Sequence, residues 1–385
     1  MTLHVLSDEN IPAVEHFLGD WGVVCRFRGR DLRAADLVGV DVLLVRSVTE
    51  VNEELLAGSA VKFVGTATSG VDHIDRDYLD QQGIGFAHAP GSNANSVVEY
   101  VLAAIASVPG KLEQLLAGGS VGIVGYGHIG SMLAARLRAL GIEHRVYDPW
   151  LDQQLLSQPA SLAEILACDV VTLHPELTRE LPWPSFHLLG ESELACLDAN
   201  CLLINASRGP VLDNQALLRL LLAGRGPVSV LDVWEGEPAL DHELLAQVRL
   251  GTPHIAGYSL DGKLLATRML CEALGSRLGL APPRPDSPAG EPAVLAVPAA
   301  LEGAPLARFL LAARYVIATD DALLRESTLG VDTKTAAGAF DLLRKNYGAR
   351  RELLGSLVLA EGLSPQAVAM VRGFGCGLTE RGSEA

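Results

Sequence analysis

The chain has 385 residues, of which 49% are hydrophobic, and its formal net charge is −16. This length allows two or three domains with separate cores, and the acidity argues against nucleic acids and membranes as partners, because both bind proteins through their phosphates. The chain start lacks a secretory pattern, no apolar stretch reaches the roughly 20 residues of a membrane span, and the six cysteines are scattered singly, so we expect a cytoplasmic protein without a metal site or disulfides.

Short apolar runs alternate with segments of helical length through most of the chain. The runs lie near residue 4 and at 41–45, 62–66, 120–125, 144–148, 168–173, 200–206 and 227–233. Amphipathic segments at 131–141 and 214–224 each end in glycine, a frequent helix stop signal. This alternation predicts parallel strands joined by helices, in two arrays that meet near residues 95–120.

A glycine motif with G-x-G-x-x-G spacing ends the apolar run at 120–125 and precedes an amphipathic segment. The first glycine permits a tight turn, the second lets backbone N–H groups approach a pyrophosphate, and the third allows close helix–strand packing. The motif alone is weak, because glycine triplets at strand ends are common. The residues assigned to a dinucleotide are Gly125, Tyr126, Gly127, His128, Ile129 and Gly130.

An acidic residue, Asp148, stands 18 residues after Gly130 at the end of the next apolar run. A carboxylate at this point can accept hydrogen bonds from the ribose hydroxyls of a dinucleotide and repels a 2′-phosphate. The pattern therefore favours NAD over NADP as the cofactor. The alternative is that Asp148 is a turn residue before Pro149.

Three further segments each follow a strand-like run and carry the candidate catalytic residues Arg208, Glu237 and His254. The carboxyl ends of parallel strands face the ligand crevice of an open α/β sheet, so we expect these side chains to converge there. Histidine can take a hydroxyl proton near neutral pH, a carboxylate can stabilise the protonated imidazole, and a guanidinium can hold a substrate carboxylate. Taken singly, each has an ordinary alternative: a loop histidine, a surface arginine and a capping glutamate.

Together these segments resemble a known family. The stretches GIVGYGHIG, INASRGPVLD, VLDVWEGEP and TPHIAGY are similar to those of the D-isomer-specific 2-hydroxyacid dehydrogenases, and the resemblance covers residues 1 to about 280. It implies NAD-dependent oxidation of the 2-hydroxyl of a small D-2-hydroxy acid by hydride transfer, with Arg208, Glu237 and His254 as catalytic groups and His254 as the base. It also implies that further residues contact the cofactor, namely Pro175, Ala206, Ser207, Asp232 and Gly257.

The resemblance implies an α/β fold with two Rossmann-like domains, one flavodoxin-like and substrate-binding, the other NAD-binding. The substrate-binding domain is then discontinuous, formed by residues 1–95 plus 256–281, and the NAD-binding domain comprises 96–255. One departure from the family pattern is Pro175, which stands where a Thr-Pro pair is usual. The hydroxyl contact to the cofactor that the threonine would make is therefore in question.

A proline-rich segment precedes a third unit. Six prolines within residues 282–298 predict an extended linker, because this density is incompatible with a helix. Residues 299–380 then contain helix-like stretches around 304–313 and 335–346 and strand-like stretches at 314–319 and 354–360. This mixture predicts a small C-terminal α+β domain.

Four stretches resemble one branch of the family, which acts on a small phosphorylated 2-hydroxy acid: VLSDENIP, LLVRSVTEVNEELL, VGTATSGVDHID and LRKNYGARRE. The last is the most specific, since most family members have nothing like it. On this resemblance the residues that contact the substrate are Arg46, Ser47, Thr68 and Tyr258. Residues 344–351 carry four basic side chains and no acidic one, and we hypothesise that Arg344 and Arg350 reach the substrate phosphate. The alternative is a solvated basic helix face.

The expected assembly is a homodimer formed through the C-terminal domain. Many relatives insert a longer helical arm for dimer contacts where this chain has only a short stretch between Val98 and Val121. Two other functions stay open. The substrate could instead be 3-phosphoglycerate, glycerate or hydroxypyruvate, with cofactor and catalytic residues unchanged. An NAD-sensing binding module of the same fold would not turn over substrate, but the complete Arg–Glu–His set favours an enzyme.

Overall fold

The structure is a computed structural model that describes residues 2–280 and 290–380. The chain forms two compact units, Met1–Asn93 with Tyr258–Glu291 and Ala94–Gly257 with Pro292–Ala385. The predicted C-terminal domain, residues 299–380, is thus grouped with the second unit. Residues 282–289 of the predicted linker lie outside the described residues. Within the described parts of the chain, no helix combines the length and apolar character needed to cross a membrane.

Strands and α-helices alternate up to residue 280, except that no α-helix lies between the second and third strands and that the fourth α-helix is followed directly by the fifth. The strands are β1 (Leu3–Asp8), β2 (Gly22–Phe27), β3 (Val42–Val45), β4 (Phe63–Thr66), β5 (Gly85–His88), β6 (Ser120–Val124), β7 (Glu143–Tyr147), β8 (Val170–Leu173), β9 (Leu202–Asn205), β10 (Val228–Leu231), β11 (Leu250–Gly251), β12 (Val294–Leu295), β13 (Leu357–Leu359) and β14 (Gly377–Thr379). The helices are α1 (Val14–Leu18), α2 (Glu53–Leu56), α3 (Arg76–Gln82), α4 (Ala94–Ser107), α5 (Lys111–Leu116), α6 (His128–Ala139), α7 (Leu162–Leu166), α8 (Glu191–Leu194), α9 (Asn214–Leu222), α10 (His242–Gln247), α11 (Leu260–Leu278), α12 (Gly303–Ala312), α13 (Ile317–Thr328), α14 (Thr333–Lys345) and α15 (Pro365–Gly373).

The first unit is built on a parallel five-stranded sheet in the order β2-β1-β3-β4-β5. Its central strand β3 is buried on both faces, since Val42 and Leu44 join one hydrophobic cluster while Leu43 and Val45 join another. A strand covered on both sides reads as a continuous apolar run, which is why the sequence predicts it. Helix α11 covers one of these faces.

The second unit contains a parallel six-stranded sheet in the order β11-β10-β9-β8-β6-β7. The chain first moves outward from β6 to β7 and then returns to β8 on the other side of β6. This reversal is the topological switch point at which open α/β sheets bind ligands beyond the carboxyl ends of their strands. The glycine loop leaves β6 at this point. Both sheets therefore confirm the predicted α/β class.

The C-terminal part of the second unit contains α12 to α15 and a parallel three-stranded sheet in the order β12-β13-β14. Leu324 of α13 and Phe340 of α14 lie in the same hydrophobic cluster as Leu245 and Val248. The C-terminal helices therefore share a core with the segment that leads to His254.

The strand predicted at residues 314–319 is wrong. This segment is a turn followed by the start of α13, which begins at Ile317. The buried residues of α13 are Ile317, Leu324 and Thr328, spaced at seven and four positions as on one face of a helix. The β-branched pair Val316 and Ile317 resembles a strand locally, but the helical periodicity that follows determines the structure.

Candidate active site

The glycine loop after β6 is tightly packed at its first and third glycines. Gly125 has a φ of +90°, and a Cβ there would lie 2.6 Å from the Pro175 nitrogen. A Cβ on Gly130 would lie 2.0 Å from the Gly125 oxygen. Gly127, the N-cap of α6, has open space where its Cβ would be. The loop thus leaves room beside the N-terminus of a 12-residue helix, as a bound pyrophosphate requires.

Asp148, directly after β7, is oriented by backbone groups. Its two carboxylate oxygens accept hydrogen bonds from the N–H groups of Tyr126, at 2.8 Å, and Trp150, at 3.0 Å. The side chain therefore ties the end of β7 to the glycine loop, so the predicted turn role is visible in the structure. A carboxylate oxygen can accept more than one hydrogen bond, and the ribose contact stays a prediction.

His254 and Glu237, predicted from separate loops, form a hydrogen-bonded pair. The Nδ1 atom of His254 lies 2.5 Å from a carboxylate oxygen of Glu237, whose other oxygen accepts from the Trp234 N–H at 3.1 Å. Burial alone would raise the pKa of Glu237, but His254, Arg344 and the Trp234 N–H outweigh it and the pKa is lowered. The carboxylate is therefore ionised beside the imidazole.

Asp232 holds the loop that carries His254. Its fully buried carboxylate accepts hydrogen bonds from the Thr252 hydroxyl at 2.7 Å and from the N–H groups of Ile255 and Ala256 at 2.8 and 2.9 Å. The backbone of His254 has a φ of +56°, an uncommon conformation for a residue with a side chain. The three bonds to Asp232 fix this turn. The predicted nicotinamide contact of Asp232 stays a prediction.

Arg208 follows β9 in a turn organised by the buried Asn205. The Asn205 amide donates to the Arg208 carbonyl at 3.1 Å, and its oxygen accepts from the Ser207 N–H and hydroxyl. The next residue, Gly209, packs so closely that a Cβ would lie 2.1 Å from the Trp234 carbonyl carbon. The loops of Arg208 and Glu237 are therefore in direct contact.

The remaining predicted cofactor residues lie at strand ends in the second unit. Ala206 is buried directly after β9, Gly257 follows the His254 loop, and Pro175 comes two residues after β8. His174, before Pro175, is fully buried, and this burial lowers its pKa to about 3. Its imidazole is therefore neutral at physiological pH, with Nε2 2.9 Å from the Thr172 hydroxyl.

The predicted substrate residues of the first unit also follow strand ends. Arg46 and the exposed Ser47 come after β3, and Arg46 donates to the Tyr258 hydroxyl at 3.2 Å. Thr68 comes after β4 and donates to the Gly70 carbonyl at 2.7 Å. A cation that the sequence did not single out, Lys263, lies 4.9 Å from the centre of the Tyr258 ring. Tyr258 therefore has two cationic neighbours.

The two tail arginines have different surroundings. Arg344, in the last turn of α14, contributes to the lowered pKa of Glu237. Arg350 donates through one guanidinium nitrogen to the carbonyl of Ala256 at 2.5 Å and to the Ser96 hydroxyl, and its other terminal nitrogen is buried. Arg344 therefore lies near the His254–Glu237 pair, whereas Arg350 contacts Ser96 and the loop that carries His254.

One group of side chains has metal-ligand character among the described residues. Possible ligand atoms of His187, Asp213 and Glu235 lie within 4.8 Å of one another. His187 Nε2 is already 2.7 Å from Glu235, while Asp213 and Glu235 both accept from backbone N–H groups in the first turn of α9. The arrangement is that of a helix cap linked to a histidine.

Known proteins resemble this chain in sequence and in fold. Residues 105–256 match the family described as "D-isomer specific 2-hydroxyacid dehydrogenase, NAD binding domain". The erythronate-4-phosphate dehydrogenase of Cellvibrio japonicus is 47% identical over 91% of this chain and 93% of its own length. That of Stutzerimonas stutzeri is 46% identical over 98% and 100%, respectively. The D-lactate dehydrogenase from Aquifex aeolicus, solved with NAD and lactic acid, shares the fold with a TM-score of 0.58 and 24% identity over 71% of this chain and 95% of that one.

The chain belongs to the D-isomer specific 2-hydroxyacid dehydrogenase family. It is therefore an NAD-dependent oxidoreductase, and the packing of its glycine loop fits that cofactor. As in other open α/β enzymes, the chemistry of this dehydrogenase belongs at the carboxyl ends of its strands.

Several residues that contact or support the predicted site residues were not predicted individually. Asn205 lies inside the motif INAS, so the motif marked its position but not its role. Lys263 is one of several cations near a helix start, and no spacing distinguishes it. Ser96 donates to the Ala256 carbonyl at 2.8 Å, although the two residues are 160 positions apart in the sequence. No local sequence pattern predicts such a contact.

Proposed function

We propose that this dehydrogenase oxidises the 2-hydroxyl of 4-phospho-D-erythronate to 2-oxo-3-hydroxy-4-phosphobutanoate, a step in the biosynthesis of pyridoxal 5′-phosphate. The observation that carries the proposal is the extent of the match to relatives named for this substrate. The similarity to the Stutzerimonas stutzeri relative covers 98% of this chain and 100% of the relative. The aligned span therefore includes residues 343–352, whereas the Aquifex aeolicus D-lactate dehydrogenase, matched over 95% of its own length, covers only 71% of this chain.

The proposed chemistry uses the His254–Glu237 pair. His254 takes the proton of the 2-hydroxyl through Nε2, the ring nitrogen that does not face Glu237. The Glu237 carboxylate stabilises the resulting imidazolium and fixes the orientation of the ring. NAD, when bound, supplies the acceptor for the hydride that leaves C2. Loss of a proton and a hydride converts the alcohol to the ketone.

Arg208 is proposed to bind the substrate carboxylate and to polarise the C2 oxygen. Its turn is fixed by Asn205 and packs against the loop of Glu237, which supports a position near the reacting carbon. A guanidinium presents parallel N–H groups that match a carboxylate, so it also selects a 2-hydroxy acid over a simple alcohol.

Further cations are proposed to bind the remaining charge of the substrate. Arg344 is the tail residue best supported as a phosphate ligand, because it already influences the Glu237 carboxyl. In the first unit, Arg46 and Lys263 flank Tyr258, and Ser47 and Thr68 offer hydroxyl groups. Arg350 binds the Ala256 carbonyl and the Ser96 hydroxyl through one terminal nitrogen, whereas its other terminal nitrogen is buried without a hydrogen-bond partner among the described residues, so its contact with the phosphate stays a prediction.

We also propose a cytoplasmic homodimer formed through the C-terminal part. Large hydrophobic side chains are exposed in this part, including Val316 at 52%, Leu342 at 56% and Leu354 at 46%, and they are the candidates for contact with a second subunit. The six cysteines are unpaired, which fits a reducing compartment.

The test is the rate of NADH formation with 4-phospho-D-erythronate beside 3-phosphoglycerate and glycerate. We expect kcat/KM to favour 4-phospho-D-erythronate by at least about 100-fold, because a site built for several polar groups strongly rejects analogues that leave them unpaired. Equal or faster oxidation of 3-phosphoglycerate would overturn the substrate assignment.

His254→Ala is expected to lower kcat by about 10²- to 10⁴-fold while NAD still binds, and a fully active variant would remove the proposed base.

A further inference from the structure

The loop that carries His254 needs support on its carbonyl side. Asp232 accepts from the N–H groups of Ile255 and Ala256, so the carbonyl of Ala256 needs donors from elsewhere in the chain. Two donors meet this carbonyl, the Ser96 hydroxyl at 2.8 Å and the Arg350 guanidinium at 2.5 Å. The loop is therefore held between a carboxylate on one side and an arginine from the tail motif on the other.

Arg350 is itself fixed by aromatic and acidic neighbours. Its guanidinium carbon lies 4.4 Å from the centre of the Tyr315 ring, within the range of a cation–π interaction. The hydroxyls of Tyr315 and Tyr347 both donate to one oxygen of Asp320, at 2.9 and 2.8 Å. These neighbours leave the Arg350 guanidinium little freedom to move.

The backbone next to Arg350 is anchored by a buried glutamate of α4. The carboxylate of Glu99 accepts hydrogen bonds from the N–H groups of Leu353 and Leu354, each at 2.9 Å or less. The amide of Asn95 donates to both Glu99 and Glu352, at 2.9 and 2.7 Å. The end of the tail motif and the two residues that follow it are thus attached to α4.

A second contact, from α13 of the C-terminal part, holds the residues that precede His254. Asp321 of α13 accepts from the Gly251 N–H at 2.7 Å and pairs with Arg325 at 2.8 Å. Arg325 also donates to the carbonyls of Leu245 and Val248, at 2.7 and 2.9 Å. The C-terminal part therefore forms hydrogen bonds with residues that precede His254 and with residues that follow it.

We infer that Arg350 is a positioning residue for the dehydrogenase reaction: through the Ala256 carbonyl it keeps the His254 loop, and hence the imidazole, in the orientation that the reaction needs. The inference rests on the proposed role of His254 as the base. It explains why a basic tail residue sits buried beneath the catalytic loop, and it gives the C-terminal part a function within one subunit.

The test compares Arg350→Met and Arg350→Lys with the control Arg308→Met. Arg308 also anchors the C-terminal part, through the Ala106 carbonyl at 3.1 Å and a forked ion pair with Glu113, but these contacts lie on α4 and α5 rather than on the His254 loop. kcat, KM, the primary isotope effect with substrate deuterated at C2, and Tm are measured for each full-length variant.

We expect Arg350→Met to lower kcat about 10- to 100-fold, because a shift of about 1 Å in a catalytic group has an effect of this size. The isotope effect on kcat should rise as hydride transfer becomes slower, whereas a purely structural role would lower Tm and leave the isotope effect unchanged. Arg350→Lys keeps the charge but not the planar guanidinium, so we expect an intermediate kcat. Arg308→Met should keep the wild-type kcat and isotope effect.

A kcat within two-fold of wild type and an unchanged isotope effect in either Arg350 variant would overturn the inference, and the lysine variant decides if the methionine variant does not fold. His254→Ala separates this failure from failure of the proposed function. If His254→Ala is inactive while the Arg350 variants are fully active, only the positioning role is lost. If His254→Ala is itself active, the proposed base is wrong and the inference falls with it.

Discussion

At the scale of single residues, the decisive feature is an imidazole whose partner is ionised. Burial of Glu237 opposes its charge, and the charge persists because His254, Arg344 and a backbone N–H all stabilise it. The direction of the pH dependence follows from the lowered pKa of Glu237. The stabilising pair is intact at neutral pH and is lost only as the pH falls through the lowered value of Glu237, below the ordinary 4.5.

We predict that Glu237→Gln lowers kcat by about 10²- to 10³-fold, because the imidazolium formed in the reaction loses its counter-charge. The acid limb of the pH profile of kcat should move to lower pH, since an imidazolium without a carboxylate partner releases its proton more readily. The measurement is kcat between pH 5 and pH 9.

The matched control is Glu235→Gln, which removes a glutamate two positions away that contacts His187 instead of His254. It should leave the acid limb in place. An acid limb that shifts equally in both variants would mean that general electrostatics, and not the His254–Glu237 pair, sets the profile.

Residues with a proposed chemical role were easier to predict than the residues that hold them in position. Arg208, Glu237 and His254 are recognisable because their chemistry restricts the residue type and their motifs follow predicted strands. Ser96 and Arg350 meet the Ala256 carbonyl from distant parts of the chain, and any small hydroxyl or long donor would satisfy the local sequence. Their roles follow only from tertiary packing.

At the scale of elements, the glycines of the loop after β6 differ in whether the fold requires them. Gly130 is needed by the fold, because a Cβ there would collide with the Gly125 carbonyl at 2.0 Å. Gly127 has open space around its Cβ position, so the fold does not require a glycine there. A bound dinucleotide, whose pyrophosphate approaches the backbone, accounts for the second glycine.

We predict different outcomes for Gly130→Ala and Gly127→Ala. The first should lower the free energy of unfolding by at least about 2 kcal/mol, because α6 must shift to relieve the clash, and should weaken NAD binding as well. The second should keep the wild-type stability yet raise the Kd for NAD at least about ten-fold. Urea unfolding and NAD titration of the two variants check this.

Each variant serves as the control for the other, since both add one methyl group to the same loop. If Gly127→Ala binds NAD as tightly as wild type, the cofactor does not approach the loop as proposed. If Gly130→Ala is as stable as wild type, the packing between α6 and β6 is looser than the structure indicates.

Element prediction succeeded in the buried strands and at the edge strand β7, but it failed at the edge strand β2 and at the start of α13. The strand β3 is covered on both faces and reads as an uninterrupted apolar run. The edge strand β2 alternates between half-buried and exposed residues and contains Arg26, so its apolar signal is too weak to detect. The start of α13 contains β-branched residues, so the sequence predicts a strand there, because the helical pattern emerges only further along the chain.

At the scale of the whole molecule, charge is divided unevenly. Residues 299–385 carry ten basic and ten acidic side chains, so the whole net charge of −16 belongs to residues 1–298. A substrate with a phosphate and a carboxylate is repelled by this body and attracted by the basic stretch 344–351. Which contribution dominates determines how the encounter rate responds to salt.

We predict that kcat/KM for 4-phospho-D-erythronate falls about three- to ten-fold when the ionic strength rises from about 0.01 M to about 0.15 M, because the Debye length shortens from about 30 Å to about 8 Å and screens the basic stretch. Arg344→Gln should remove most of this dependence, whereas Arg372→Gln, an equal charge change at an exposed site on α15, should retain it. The unphosphorylated analogue should respond weakly in every variant. A kcat/KM that rises with salt would show instead that repulsion by the acidic body controls the encounter, and the phosphate would then need a different site from the one proposed at Arg344.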